Sequence, residues 1–199
     1  MNELAPSVLK WAARRGYERY TLARLDRVLR RAAEEGLSES ELTRSEERFA
    51  LFVRLVRALE QCSNSEVTDY IAQEMIGTFK SGDIDKRPDF AQMAISSLSG
   101  VTKVELDIIV YMHKNSTYQR NHYEVDDIEK LRDFYSTATE ELGIESSLLN
   151  AILNGLSRTG LVTPPASGFG AVIAKDTCRL TPLARELFRY IDYKKRLTT

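Results

Sequence analysis

The sequence predicts a mainly α-helical protein, with an N-terminal helical bundle in residues 1–100 and a unit of helices with a small β-hairpin in residues 101–199. Proline and glycine are scarce before the last quarter of the chain, and apolar residues in that part recur at spacings of three and four. After residue 160, a turn-rich segment separates two short apolar runs, which is typical of a hairpin. Hydrophobic residues at 43% and charged residues at 29% are ordinary for a globular fold.

The first predicted helix covers residues 7–33. Leu22, Leu25 and Val28 belong to its apolar pattern, and Gly36 marks its end. This segment is also rich in basic residues, a feature considered below.

Two capping boxes predict the next helix starts. Ser38 and Glu41 open a helix that we expect to continue to about residue 61, with Phe49 on its buried side. Ser63 and Glu66 open the following helix in the same way, because a serine side chain and a glutamate three residues later satisfy unpaired backbone amides.

The middle of the chain predicts shorter elements. Lys80–Asp83 interrupts the helical pattern, and Pro88 is placed as an early residue of a short helix ending near residue 100. Thr102 and Glu105 form a third capping box. We expect a loop over residues 113–123 and a helix near residues 126–142.

The segment from Glu140 to Val162 has a distinctive order of elements. One helix ends at Leu142-Gly143, and a second helix with an inward leucine pattern closes on Thr159-Gly160. Residues 161–163 predict a strand, 164–170 a turn and 171–180 the returning strand. Thr181-Pro182 then opens a last helix.

This order resembles the winged helix-turn-helix domains of multiple-antibiotic-resistance regulators, over about residues 101–193. The resemblance implies that the helix after Gly143 presents an outward face to a partner, in the family the DNA major groove. The sequence departs from the family at Ala151 and Gly155, where basic residues are expected, and Glu145 repels phosphate. Residues 157–199 nevertheless hold eight basic and three acidic residues. The predicted partner-binding residues are Ser146, Ser147, Asn150, Asn154, Arg158, Lys175, Arg179, Lys194, Lys195 and Arg196.

Charge is unevenly distributed in the N-terminal segment. Residues 1–31 hold eight basic and three acidic residues, whereas residues 32–48 hold six glutamates and two arginines. This asymmetry favours antiparallel helices that complement each other, or pairing in a homodimer. Nucleic-acid contact and a helix on a membrane surface are the alternatives, and Trp11, Tyr17 and Tyr20 suit all three.

No constellation predicts catalysis, a metal or a cofactor. His113, His122 and Glu124 are too few for a tight metal site. Asp83, Asp85 and Asp89 resemble a calcium loop faintly, but the required glycine and glutamate are absent. Residues 167–170 are glycine-rich and lack the lysine of a phosphate loop.

Cys62 and Cys178 are predicted to be buried free thiols, since two distant cysteines form no disulfide framework. No secretory signal and no apolar run long enough for a membrane span is visible. We therefore expect a cytoplasmic protein.

The layout as a whole is similar to the abortive infection alpha family of bacteria. The likeness lies in Arg87-Pro88-Asp89-Phe90, in residues 98–105 and in Leu180-Thr181. It implies a role in defence against phage, with no catalytic residues. The sequence thus predicts a non-enzymatic, dimeric interaction protein that docks a protein or double-stranded DNA on its winged helix. A DNA-binding transcriptional regulator is the alternative, and an enzyme of unrecognised type is a third class.

Overall fold

The computed structural model describes residues 6–62, 64–115, 136–163 and 178–191. Within these ranges it describes the side chains from Arg14 onward, except that of Glu39. These residues are mainly helical, which confirms the predicted fold class at that level.

Helix α1 spans Pro6–Glu34, close to the predicted limits. It ends through Gly36, whose φ of 83° is readily adopted by glycine and rarely by other residues. The Leu37 amide then donates to the carbonyl oxygen of Ala32 at 2.9 Å, which closes the helix end.

The single helix predicted from Ser38 to about residue 61 is wrong. The structure has two helices there, α2 over Glu39–Leu42 and α3 over Glu46–Gln61. The capping box at Ser38 is present, but Ser45 caps a second start by accepting a hydrogen bond from the Arg48 amide at 3.3 Å. A serine oxygen that satisfies an unpaired amide can start a helix wherever the chain bends.

Helix α4 spans Ser65–Ser81. Its N-cap is Asn64, whose Oδ1 accepts a hydrogen bond from the Glu66 amide at 2.6 Å. The predicted N-cap, Ser63, lies outside the described residues. The start of the helix thus differs from the prediction, since asparagine caps as well as serine does.

Two short helices follow. Gly82, with a φ of 70°, ends α4 and leads into α5 over Asp83–Lys86, and Pro88 is the first residue of α6 over Pro88–Ser97. Proline suits this position because a first-turn amide has no partner within its helix.

In the described residues of the second half there are four helices. They are α7 over Lys103–Lys114, α8 with described residues 136–142, α9 over Ser146–Leu156, and α10 over Pro182–Ile191. The capping box of Thr102 and Glu105 is present at the start of α7, and a 3₁₀ turn over Ser157–Thr159 follows α9.

An antiparallel bridge joins Val162 to Leu180. The Thr163 amide donates to the Arg179 carbonyl at 2.8 Å, and the Thr181 amide donates to the Leu161 carbonyl at 2.9 Å. The hairpin predicted between these segments, over residues 164–177, lies outside the described residues.

Helix α4 is the centre of the core, because α1, α3, α6 and α10 all pack against it. Val67, Ile71, Met75 and Phe79 are its large buried apolar side chains. The core is continuous across residue 100, since α10 packs on α4 and α6. The division into two units at that residue does not coincide with a break in the core, and it stays a prediction.

Two residues predicted on buried helix faces are exposed. Leu22 is 62% exposed and Phe49 is 52% exposed. Among the described side chains of α1, which start at Arg14, Val28 and Ala32 are the buried ones, and both lie in the C-terminal half of the helix. The buried stripe of α3 runs instead through Leu51, Leu55, Ala58 and Leu59.

Helices α4 and α10 touch at backbone distance. A Cβ atom at position 77 would overlap the backbone of Tyr190, so only glycine permits this approach. Tyr190 itself is buried and belongs to the hydrophobic core.

Candidate functional site

The predicted partner-binding helix is α9, and a tight turn sets its direction. Gly143 has a φ of 63° and follows α8 directly. The Gly143 amide donates to the Glu140 carbonyl at 3.3 Å, and the Ile144 amide donates to the Thr139 carbonyl at 3.2 Å. These bonds satisfy the last carbonyls of α8 and turn the chain before α9 begins.

One face of α9 is buried and the other is open. Leu149, Leu153 and Leu156 are buried, as the leucine pattern predicts. The outward residues are neutral: Ser146, Ser147, Leu148, Ala151 and Asn154 are exposed, and Asn150 is half-buried. Leu148 is 53% exposed, which places a large apolar side chain on this face.

Arg158, the first basic residue after α9 in the sequence, forms an ion pair within the protein. Its Nη1 donates to Glu105 Oε1 at 2.6 Å, and its Nη2 donates to Glu105 Oε2 at 3.0 Å. The same guanidinium donates to the carbonyl oxygens of Gly155 and Gly100. Burial alone would raise the pKa of Glu105, but the bonds from Arg158 and Thr102 hold it below its usual value.

Arg179 is 5% exposed, and it flanks the bridge between residues 162 and 180. Its backbone amide donates to Thr163 Oγ1 at 2.9 Å. The Arg179 side chain is buried within the protein, and its contact with a partner stays a prediction. Four other predicted residues, Lys175, Lys194, Lys195 and Arg196, lie outside the described residues.

A cleft of about 690 Å³ opens beyond the C-terminal end of α9. Its walls come from four separate segments: Arg54 of α3, residues of α6, the turn at 158–160 and Leu183 of α10. Arg54 is oriented by neutral groups, since its Nε donates to Gln92 Oε1 at 2.6 Å and its Nη1 to Ser96 Oγ at 3.2 Å. Sequence reasoning missed this cleft, because no local pattern links segments so far apart in the chain.

A buried polar cluster connects α5, α6 and α10. Tyr190 donates from its hydroxyl to Asp83 Oδ2 at 3.0 Å, and Arg87 donates to Asp83 at 2.9 Å and to Glu186 at 3.3 Å. Burial alone would raise the pKa of Asp83, but these bonds hold it below its usual value. Each charge thus faces a partner within the protein.

Two of the three acidic residues that resembled a calcium loop, Asp83 and Asp85, serve as ion-pair partners. Asp85 accepts two hydrogen bonds from Arg48, at 3.0 and 2.7 Å, which ties α5 to α3. Asp83 belongs to the cluster with Arg87 and Tyr190. Their oxygens therefore do not converge on a common point.

Glu74 of α4 is fully buried. The Thr78 hydroxyl donates to its Oε1 at 3.0 Å, while Oε2 has no hydrogen-bond partner among the described residues. Burial raises the pKa of this carboxyl to about 8. Glu74 carries a proton at neutral pH as a consequence.

His113, one of the residues considered for a metal, stacks on Phe188 with ring centroids 3.8 Å apart. His122 and Glu124 lie outside the described residues. Cys62 and Cys178 are buried free thiols, as predicted.

The outer side of α1 is charged and open. Residues 14–20 are exposed on every face of the helix. Arg27 pairs with Asp69 of α4 at 2.7 Å, and Arg30 pairs with Asp26 one turn away. A groove of about 630 Å³ runs along this side, lined by charged residues of α1 and by Asp69.

No protein-family model, curated protein or solved structure matches the chain. Within the described ranges, none of the helices is both long enough and apolar enough to cross a bilayer.

Proposed function

We propose that the chain is a non-enzymatic, cytoplasmic interaction protein that docks a protein partner on the outward face of α9. The turn at Gly143, the leucine-packed α9 and the antiparallel bridge that follows support the proposal, because a winged helix-turn-helix has a turn, a helix and a strand pair in this order. We take α9 as its recognition helix; the predicted wing, over residues 164–177, lies outside the described residues.

The neutrality of the α9 face carries this proposal. DNA affinity comes largely from lysines and arginines that neutralise phosphates, and α9 contains no basic residue. Arg158, which follows it, is bound to Glu105 through both of its terminal nitrogens. A face with an exposed leucine among serines and asparagines suits a protein surface, where apolar contacts are surrounded by polar ones.

Site-specific photocrosslinking tests the proposal. A photoreactive amino acid is placed at Ala151 or Asn154, and a lysate of the source organism is irradiated. We expect a crosslinked product that protease removes and nuclease leaves intact. The same probe at Arg57, an exposed position of α3, is the control.

A second substitution makes the test specific to the docking face. Leu148→Glu should abolish the crosslink from Asn154, because it places a charge in the apolar part of the surface. A crosslink that persists in this variant, or that forms equally from Arg57, contradicts the proposal.

The transcriptional regulator remains the competing function, supported by the basic residues after residue 157. A mobility-shift titration with duplex DNA separates the two. We expect no shift at 50 mM salt. A shift that weakens steeply with salt, and flattens when Lys194, Lys195 and Arg196 become alanine, would establish the regulator instead.

A further inference from the structure

The solvent side of α1 combines an exposed apolar residue with charges of both signs. Leu22 is the most exposed of the large apolar side chains in the described part of the protein, although it follows an apolar pattern that is buried further along the helix. Asp26 and Glu18, at 54% and 52% exposed, lie one turn to either side of it.

Helical geometry places these residues on one stripe. At 3.6 residues per turn, positions 15, 19, 22 and 26 lie within about 60° of one another. Ala23 lies beside Leu22 and is also exposed, so another helix can approach closely here. The stripe is separate from α9 and does not depend on the proposed docking function.

We propose that the occupant of this stripe is the same stripe on a second copy of the chain. Two α1 helices that cross antiparallel about a two-fold axis between positions 22 and 23 bring Leu22 against Leu22 of the second copy, with Ala23 beside the crossing. Arg19 then faces Asp26 of the second copy, and the symmetry repeats each contact, as it does in an isologous interface.

Glu18 and Arg27 of the second copy lie on opposite sides of this helix pair and do not meet, because positions 18 and 27 are about 180° apart around the helix. One like-charged pair is formed, between Arg15 and Arg30 of the second copy. That pair lies two turns from the crossing point, where helices inclined at the common packing angle of about −50° have separated. The charges near the crossing are therefore complementary, and the repulsive pair is remote.

A second copy fits this surface better than nucleic acid or a bilayer does. The carboxylate of Asp26 within the stripe would face phosphates in either alternative, whereas in the symmetric pair it faces Arg19. A single helix crossing is a small interface, and such interfaces give weak dimers, with dissociation constants of about micromolar order.

Sedimentation equilibrium on the full-length chain, at about 5 to 200 μM, tests the inference. The wild type should reach a monomer–dimer equilibrium in that range. Leu22→Glu should weaken dimerisation at least about tenfold, because it puts a carboxylate at the two-fold axis. Phe49→Glu is the matched control, an exposed apolar residue on α3 whose change should leave the equilibrium unmoved.

A charge exchange tests the register itself. Arg19→Glu alone and Asp26→Arg alone should each weaken the dimer, and the double variant should recover most of the loss, since it restores opposite charges across the axis. Circular dichroism of each variant verifies that it is folded.

Three results would overturn the inference. They are a wild type that stays monomeric at 200 μM, a dimer that Leu22→Glu leaves unchanged, and single variants that weaken the dimer with no recovery in the double variant. Duplex DNA that binds a monomeric wild type and is lost in Arg19→Glu would assign the stripe to nucleic acid instead.

Discussion

Replacing Glu74 by glutamine is expected to stabilise the protein, by an amount that increases with pH. The carboxyl is fully buried, it accepts a hydrogen bond from Thr78, and its second oxygen has no partner among the described residues. Burial without a cation disfavours the charged form, so the folded protein holds the proton that the unfolded chain releases.

The magnitude follows from the two pKa values of Glu74. The ordinary value is 4.5, and the folded value is about 8. A folded pKa above the unfolded one means that the stability is fully present below pH 4.5 and is lost as the pH rises towards 8. Each pH unit in that window costs about 1.4 kcal/mol, or about 3 kcal/mol by pH 7. Glutamine keeps the acceptor for Thr78 and does not ionise.

Urea unfolding followed by circular dichroism at several pH values measures this effect. We expect the glutamine variant and the wild type to be nearly equal at pH 4.5, and the variant to be more stable by about 3 kcal/mol at pH 7. In thermal unfolding at pH 7 this corresponds to a rise in Tm of about 6–12 °C for a chain of this size.

Glu66→Gln on the same helix is the control. Glu66 is exposed and pairs with Lys103 at 2.8 Å, so its loss should change stability little, with no trend between pH 6 and 9. A stability difference between Glu74→Gln and the wild type that stays constant from pH 5 to pH 9 would refute the reasoning, because it would mean that the carboxyl is not the titrating group.

Three further substitutions probe the helix contacts. Gly77→Ala should destabilise the protein by about 2–3 kcal/mol in urea unfolding, because the new Cβ overlaps the Tyr190 backbone. Gly16→Ala, in open space on α1, is its control and should stabilise by about 0.5–1 kcal/mol. Tyr190→Phe should cost about 1–3 kcal/mol by removing the hydroxyl that donates to a buried carboxylate. Arg158→Ala should cost only about 1 kcal/mol, since this side chain is half exposed. Because Arg158 lowers the pKa of Glu105, the stabilisation by this ion pair is present above pH 4.5 and is lost as the pH falls. If the stability of the Arg158→Ala variant and of the wild type depended on pH in the same way below pH 4.5, this role of Arg158 would be contradicted.

The sequence predicted helix starts and ends well where one or two neighbouring residues determine them. The capping box of Thr102 and Glu105 starts α7, and Gly143 ends α8, because both act through bonds within one turn of helix. The same reasoning failed at Ser45, where a second serine cap divides a continuous apolar pattern into two helices.

Burial was harder to predict than secondary structure, since it depends on where the neighbouring helix ends. Leu22 follows the apolar spacing of α1, yet the rest of the core begins only at Val28. Similarly, Arg158 and Arg179 look alike in the sequence as basic residues near the wing. One is bound to a glutamate 53 positions away, and the other is buried beside the bridge. Contacts between distant segments leave no local pattern to read.

The backbone contact between Gly77 and Tyr190 has a consequence for synthesis of the chain. Helix α4 needs α10 as its cover, and α10 lies more than a hundred residues later. While the ribosome is still translating, the side of α4 that holds Gly77 has no cover, and its contact with α10 waits until residues 182–191 have emerged. Such long-range closure is slow and leaves apolar surface open to aggregation, so a nascent chain that stalls before residue 182 is a natural client for chaperones.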